Sequence, residues 1–182
     1  VRAAKHIQPH SDAVRWQVSN RSAPASRRIA DRHYNRQKVG APGFVPPGRC
    51  IVLRTPNATA LWVTSWPFEE YVRHRWGGAL VCSAFRNEAP LSDLSSELVA
   101  EAVAATRWWL GARPIPDQGM VTFVDRDQTR PKRDPGRCFR KAGFVEDGET
   151  EGGLVALVLP LARMVYLPPI MPLGWQASLV AA

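Results

Sequence analysis

Cysteine is scarce in this chain. Cys50, Cys82 and Cys138 are an odd set with no CxxC pair and no zinc spacing. That argues against a disulfide framework or a structural zinc site and makes a reducing cytoplasm the default compartment. Long apolar runs are missing too. No stretch is long enough to cross a bilayer, so no membrane partner is expected. The first residues lack an apolar core segment, so no secretory leader is expected. Residues 164–182 are apolar, but Pro168, Pro169 and Pro172 interrupt them. Acidic side chains are in deficit: 16 Asp and Glu against 24 Lys and Arg, a net charge of +8. That excess favours a polyanionic partner: nucleic acid, an anionic cofactor, or both.

What is present is a set of short strands around one long helix. The 182 residues fit a single domain, with 1–25 and 164–182 as peripheral terminal segments. Residues 50–54 (CIVLR) and 60–64 (ALWVT) are strand-like and joined by a turn, and 79–85 (ALVCSAF) and 120–124 (MVTFV) follow. Residues 145–148 and 154–159 suggest a hairpin, and 15–18 a first strand. Residues 27–37 are predicted helical, with Ser26 as N-cap and Ile29, Ala30, His33 and Tyr34 on one side.

Residues 94–110 carry the strongest helical pattern. Leu94, Leu98, Ala102, Ala105, Thr106 and Trp109 form one stripe, with Ser95 as N-cap and Leu94 and Val99 as a staple. Gly111 stops this helix. A second, short helix is predicted from Asp134-Pro135 to a stop at Gly143. The order implies α+β with a central, mostly antiparallel sheet.

Chemistry-bearing side chains collect around residues 125–141. Asp125 ends a predicted strand, where a carboxylate can accept a proton from an amine or orient it. An ion pair with Arg126, Arg130 or Arg133 is the competing role. The loop and short helix carry Arg126, Arg130, Lys132, Arg133, Arg137, Arg140 and Lys141, a density suited to phosphate contacts with DNA. His33 and Asp125, with Tyr34 near, are two potential metal ligands. Two ligands do not define a site, so no metal is assigned. Trp66 and Trp76 lie in loop-like segments and could stack on a base or pack in the core.

Strand, short helix ending Ala142-Gly143-Phe144, then hairpin resembles the C-terminal half of the GNAT acyltransferase superfamily. In that family the strand before the long helix splays from its neighbour, and the cofactor pyrophosphate sits on the helix N-terminus. The resemblance implies a GNAT-like fold with a splayed strand pair. It implies a donor site at Arg86, Asn87, Ser95 and Ser96, with acetyl-CoA or another small-molecule acyl donor. The family's glycine signature at that place is absent, since no glycine lies between Phe85 and Trp108.

One branch without the glycine loop is the phage Mom group, which modifies adenine in phage DNA. The chain is similar to it in His33-Tyr34, Arg86-Asn87, Leu94-Ser95-Ser96, residues 121–125 and residues 136–144. Phe139 stands where that group tends to have tyrosine. This resemblance implies a DNA-modifying transferase acting on a nucleobase amino group, adenine N6 first, that protects DNA from restriction in a host cytoplasm. Tyr34 and Asp125 would be catalytic, and Arg126, Arg130, Lys132, Arg133 and Arg137 would hold DNA. Two other readings stay open: a GNAT N-acetyltransferase for a small amine or a protein, and a non-catalytic GNAT-like nucleic-acid-binding module. Oligomeric state, including a homodimer, is left open.

Overall fold

Alternation along one strand sets the layers. In β3 (Ala60–Trp66), Ala60 and Trp62 belong to one apolar cluster while Leu61 and Val63 belong to another, and all four are fully buried. Side chains alternate across a strand, so β3 must be covered on both faces. The computed structural model describes residues 14–90, 93–129 and 134–176. Within them lie β1 (Gln17–Ser19), α1 (Pro24–Ala30), β2 (Arg49–Arg54), β3, β4 (Leu80–Asn87), α2 (Ser95–Leu110), β5 (Met120–Val124), α3 (Arg137–Lys141), β6 (Val145–Glu149), β7 (Val155–Leu159) and α4 (Leu161–Met164).

The strands form one open seven-stranded sheet in the order β1-β2-β3-β4-β5-β7-β6. Every pair is antiparallel except β4 with β5. The expected α+β class with a mostly antiparallel sheet is therefore what forms. Helix α2 covers one face through Leu98, Val99, Ala102, Val103, Ala105 and Trp109. Helix α1 covers the other through Ile29 and Ala30, against Val52, Leu61, Val63 and Ala84.

A buried polar chain fastens α2 to the sheet. Trp62 Nε1 donates to Thr64 Oγ1 at 2.7 Å, the Thr64 and Thr106 hydroxyls lie 2.8 Å apart, and Thr106 Oγ1 donates to Ala102 O at 2.9 Å. The indole only donates, and the Thr106 proton is committed to Ala102. The Thr64 hydroxyl must therefore donate to Thr106, and the chain runs one way.

The helix ends differ from their predicted caps. Helix α1 starts at Pro24 with Ala23 as N-cap, because proline suits the first helical position. Ser26 is instead buried and bonded to Ser19 at 2.7 Å. The helix stops at Ala30, not 37, because Asp31 turns the chain back by binding Arg36 at 2.7 Å and the Gly40 amide at 3.2 Å. In α2 the N-cap is Leu94, which is 53% exposed, so neither the Ser95 cap nor the Leu94–Val99 staple forms. In α3 the N-cap is Gly136, two residues beyond Asp134. Gly143 does stop α3: its φ is +100°, and the Phe144 and Gly143 amides return to Phe139 and Arg140 carbonyls.

Both stretches expected at the periphery contribute to the body of the fold. Trp16 is fully buried and donates to Leu98 O at 2.9 Å, while Leu173 exchanges backbone bonds with Val18 and Trp16.

Replacing Thr106 by valine strands the Thr64 proton in the core. A loss of about 2 kcal/mol in urea denaturation is expected. Thr64→Val with Thr106→Val should cost less than the sum of the two single changes, because only the Trp62 donor is then orphaned.

Candidate functional site

The two parallel strands run together only at their starts. Leu80 pairs with Met120, Val81 with Val121 and Cys82 with Thr122; β4 then continues to Asn87 without β5. A bulge coincides with the parting. Val63 faces Ala84 and Thr64 faces Cys82, so Ser83 has no opposite number on β3. A bulge bends its strand and increases the local twist. Gly119 anchors the closed end: its carbonyl accepts from Leu80 N at 3.0 Å, and with φ +65° a Cβ there would collide with the Leu159 carbonyl.

Parted strands expose inner backbone groups that need partners. The segment after α1 supplies them. Asn35 Nδ2 donates to Ser83 O at 3.0 Å. The Tyr34 hydroxyl donates to Phe123 O at 3.3 Å and accepts from Asp125 N at 3.4 Å. Burial of that end of the side chain pushes the phenol pKa above its ordinary value, so the hydroxyl stays protonated at neutral pH. His33 stacks on the Tyr34 ring at 4.5 Å, and its Nδ1 accepts from the Asn35 amide at 3.3 Å, which places the neutral ring's proton on Nε2.

Between the strands opens a cleft of about 1600 Å³. Tyr34, Arg86, Asn87, Ser95, Ser96 and Arg137 all border it, so most of the expected site residues come together although they are distant in sequence. Ser95 and Ser96 are the first residues of α2, where amides have no partner inside the helix and no side chain caps them here. Asn87 is already committed. Its Nδ2 binds Asp93 O at 2.9 Å and Ser95 Oγ at 3.0 Å, and its Oδ1 accepts from Ala89 N, so it straps the end of β4 to the start of α2. Arg86 is partly committed: it binds Glu88 and donates to Arg32 O at 2.6 Å.

Asp125 sits beside the cleft but does not border it. It lines a neighbouring hollow of about 290 Å³. Its Oδ1 accepts from Asp127 N at 2.8 Å and Gln128 N at 3.1 Å, closing the turn after β5. Its second oxygen makes no hydrogen bond among the described residues. The competing ion pair with Arg126 does not form, because Arg126 binds Glu146 and Glu149 on β6 instead. Arg130, Lys132 and Arg133 lie outside the described residues. No cluster of three or more potential metal ligands occurs among the described residues, so His33 and Asp125 gain no third partner there. Trp76 is buried and donates to Asp147 Oδ2 at 2.7 Å, which removes it from any stacking role, and Trp66 is partly buried at the end of β3.

Sequence reading missed Asn35 and the Ser83 bulge. The only signal for Asn35 was its place directly after His33-Tyr34. Compared with known proteins, the chain matches no family model, no curated protein and no solved structure.

Glu88 provides a pH test of this wall. Arg32, and then Arg86, hold its carboxyl well below the usual 4.5, at about 2. A depressed folded pKa means the ion pairs stabilise above about pH 4.5 and are lost as pH falls towards about 2. The thermal midpoints of wild type and Glu88→Gln should therefore differ most above pH 5 and converge through that window.

Proposed function

We propose that the chain is a GNAT-like group-transfer enzyme that modifies an amino group of a nucleobase in DNA, with adenine N6 as the first candidate. The observation that carries this reading is the parting of β4 and β5 over a large cleft that meets the N-terminus of α2. Its volume, about 1600 Å³, exceeds the ~300–1,000 Å³ typical of a pocket for one small ligand. A donor and an acceptor can therefore share it. The sign of the charge agrees: Arg137 and Lys141 border the cleft without an ion pair among the described residues, while Arg36, Arg86 and Asp134 there are paired with Asp31, Glu88 and Arg140.

The residues at the start of α2 fit an anionic donor. Free first-turn amides and the helix dipole attract phosphate, and two serine hydroxyls add donors. Arg86 keeps guanidinium hydrogens beyond those bound to Glu88 and Arg32. An acyl donor would supply an activated carbonyl for the amine to attack. The chain's own part is to hold the amine and manage its proton. Tyr34 stays protonated and fixes the end of β5 by bonding on both sides of Val124. Asp125 lies in the hollow beside the cleft, and its second oxygen, without a hydrogen bond among the described residues, is the acceptor for the amine's proton through one intervening water. A base in a duplex must leave the stack to reach such a cleft, and the aromatic Phe85 and Phe139 at its floor suit an extruded base.

Nucleoside mass spectrometry of DNA from cells expressing the protein tests this reading, and a modified adenosine is the expected product. Asp125→Asn keeps an oxygen for the Asp127 and Gln128 amides but removes the charge. Modification should fall at least about 100-fold with an unchanged thermal midpoint. Full activity in that variant would leave Asp125 as a turn residue only. Unmodified DNA together with acetylation of a small amine or a protein would favour the N-acetyltransferase reading.

A further inference from the structure

Among the described residues, most cations near the cleft are already neutralised. Arg36 gives its Nε to Asp31 and its two terminal nitrogens to the Gly43 and Ala41 carbonyls. Arg32 and Arg86 share Glu88. Arg126 binds Glu146 and Glu149, and Arg140 binds Asp134 and Glu146. Arg137 and Lys141 differ. Both are exposed, both border the cleft, and neither makes an ion pair or side-chain hydrogen bond with any described residue. Their spacing of four residues on α3 puts them on one face. Phe139, between them in sequence, is buried at the floor of the same cleft and packs edge-on against Phe85 at 5.7 Å.

Two cations on one wall, unpaired among the described residues, above an aromatic floor, match the two halves of a nucleotide. We propose that the Arg137 and Lys141 side chains bind a phosphate of a nucleotide unit whose base lies towards Phe85 and Phe139. The site rests on the cleft being functional and names which cations hold the polyanion. The phosphate belongs either to a polynucleotide backbone or to a nucleotide-bearing donor. The chemistry is the same in both, because a bidentate guanidinium and an ammonium neutralise the same group. The contrast with the ion-paired arginines is what makes these two positions specific. A cation bound to a carboxylate must break that contact to reach a phosphate; these two need not.

The test measures binding of a fluorescent single-stranded oligonucleotide and, separately, of ADP to the whole chain. Wild type is compared with Arg137→Ala/Lys141→Ala and with Arg54→Ala/Arg75→Ala. Both double variants remove two positive charges, but Arg75 is held by the Asp147 carboxylate, Arg54 is bound to the Thr55 and Pro56 carbonyls, and neither borders the cleft. The α3 variant should lose about tenfold in affinity, and for the oligonucleotide the log–log salt slope should flatten by about 1.4, the value for two single-strand phosphates. The charge-matched control should lose under about threefold.

Arg137→Lys/Lys141→Arg, which keeps both charges, should retain most of the binding. Loss for the oligonucleotide assigns the phosphate to the backbone, and loss confined to ADP assigns it to the donor. Equal losses in the two alanine pairs, or none in either, overturn the proposal while leaving the cleft reading intact. A wild-type protein that binds neither ligand overturns both.

Discussion

The structure depends on a sheet that stops pairing in its middle. After Cys82 and Thr122, β4 and β5 no longer bond to each other, although Ala84 and Val124 on the parted stretches are buried and their neighbours half-buried. Unpaired backbone in such a place costs about as much as a lost hydrogen bond per group. The fold meets that cost with three side chains, Tyr34, Asn35 and Thr122, rather than with another strand. The opening that results is braced and pre-formed, which is what a binding cleft requires.

The same constraint explains the arrangement around it. The Ser83 bulge turns β4 away, and Asn87 then ties its end to the first turn of α2. Helix α2 is locked to β3 by the Trp62–Thr64–Thr106 chain and by Trp16 reaching Leu98 O. Helix α3 closes the remaining side through Phe139, held between Phe85 and Phe144. A rigid frame therefore surrounds a gap whose rim carries the groups able to bind anions. Charge is distributed to match. The edge strand β6 carries Glu146, Asp147 and Glu149, each met by an arginine, so the sheet edge is neutralised while Arg137 and Lys141 on α3, without an ion pair among the described residues, border the cleft.

Strand positions and the long helix were legible in the sequence because periodicity reports burial. Residues 120–124 match β5, and the stripe on 94–110 matches the buried face of α2. The caps were less legible. Ser26, Ser95 and Asp134 are each good capping residues, but Pro24, Leu94 and Gly136 define the actual starts because tertiary contacts claim the serine and aspartate side chains. The site was half legible. Arg86, Ser95 and Ser96 follow from the strand–helix junction, which is local in sequence. The Asn35 bond to Ser83 spans nearly fifty residues and depends on a bulge that no local pattern encodes. The density of arginine around Asp125 pointed to a polyanion, but it did not reveal that Arg126 and Arg140 are occupied by β6.

The central claim is that the parted strands form the ligand site. Backbone amide NMR during titration with coenzyme A and with a short single-stranded oligonucleotide tests it most directly. The account predicts shifts concentrated at Ser95 and Ser96, at residues 83–86 and along residues 137–141, with β1 and β2 unmoved. Shifts confined to the outer strands, or absent at saturating concentrations of both ligands, would contradict it.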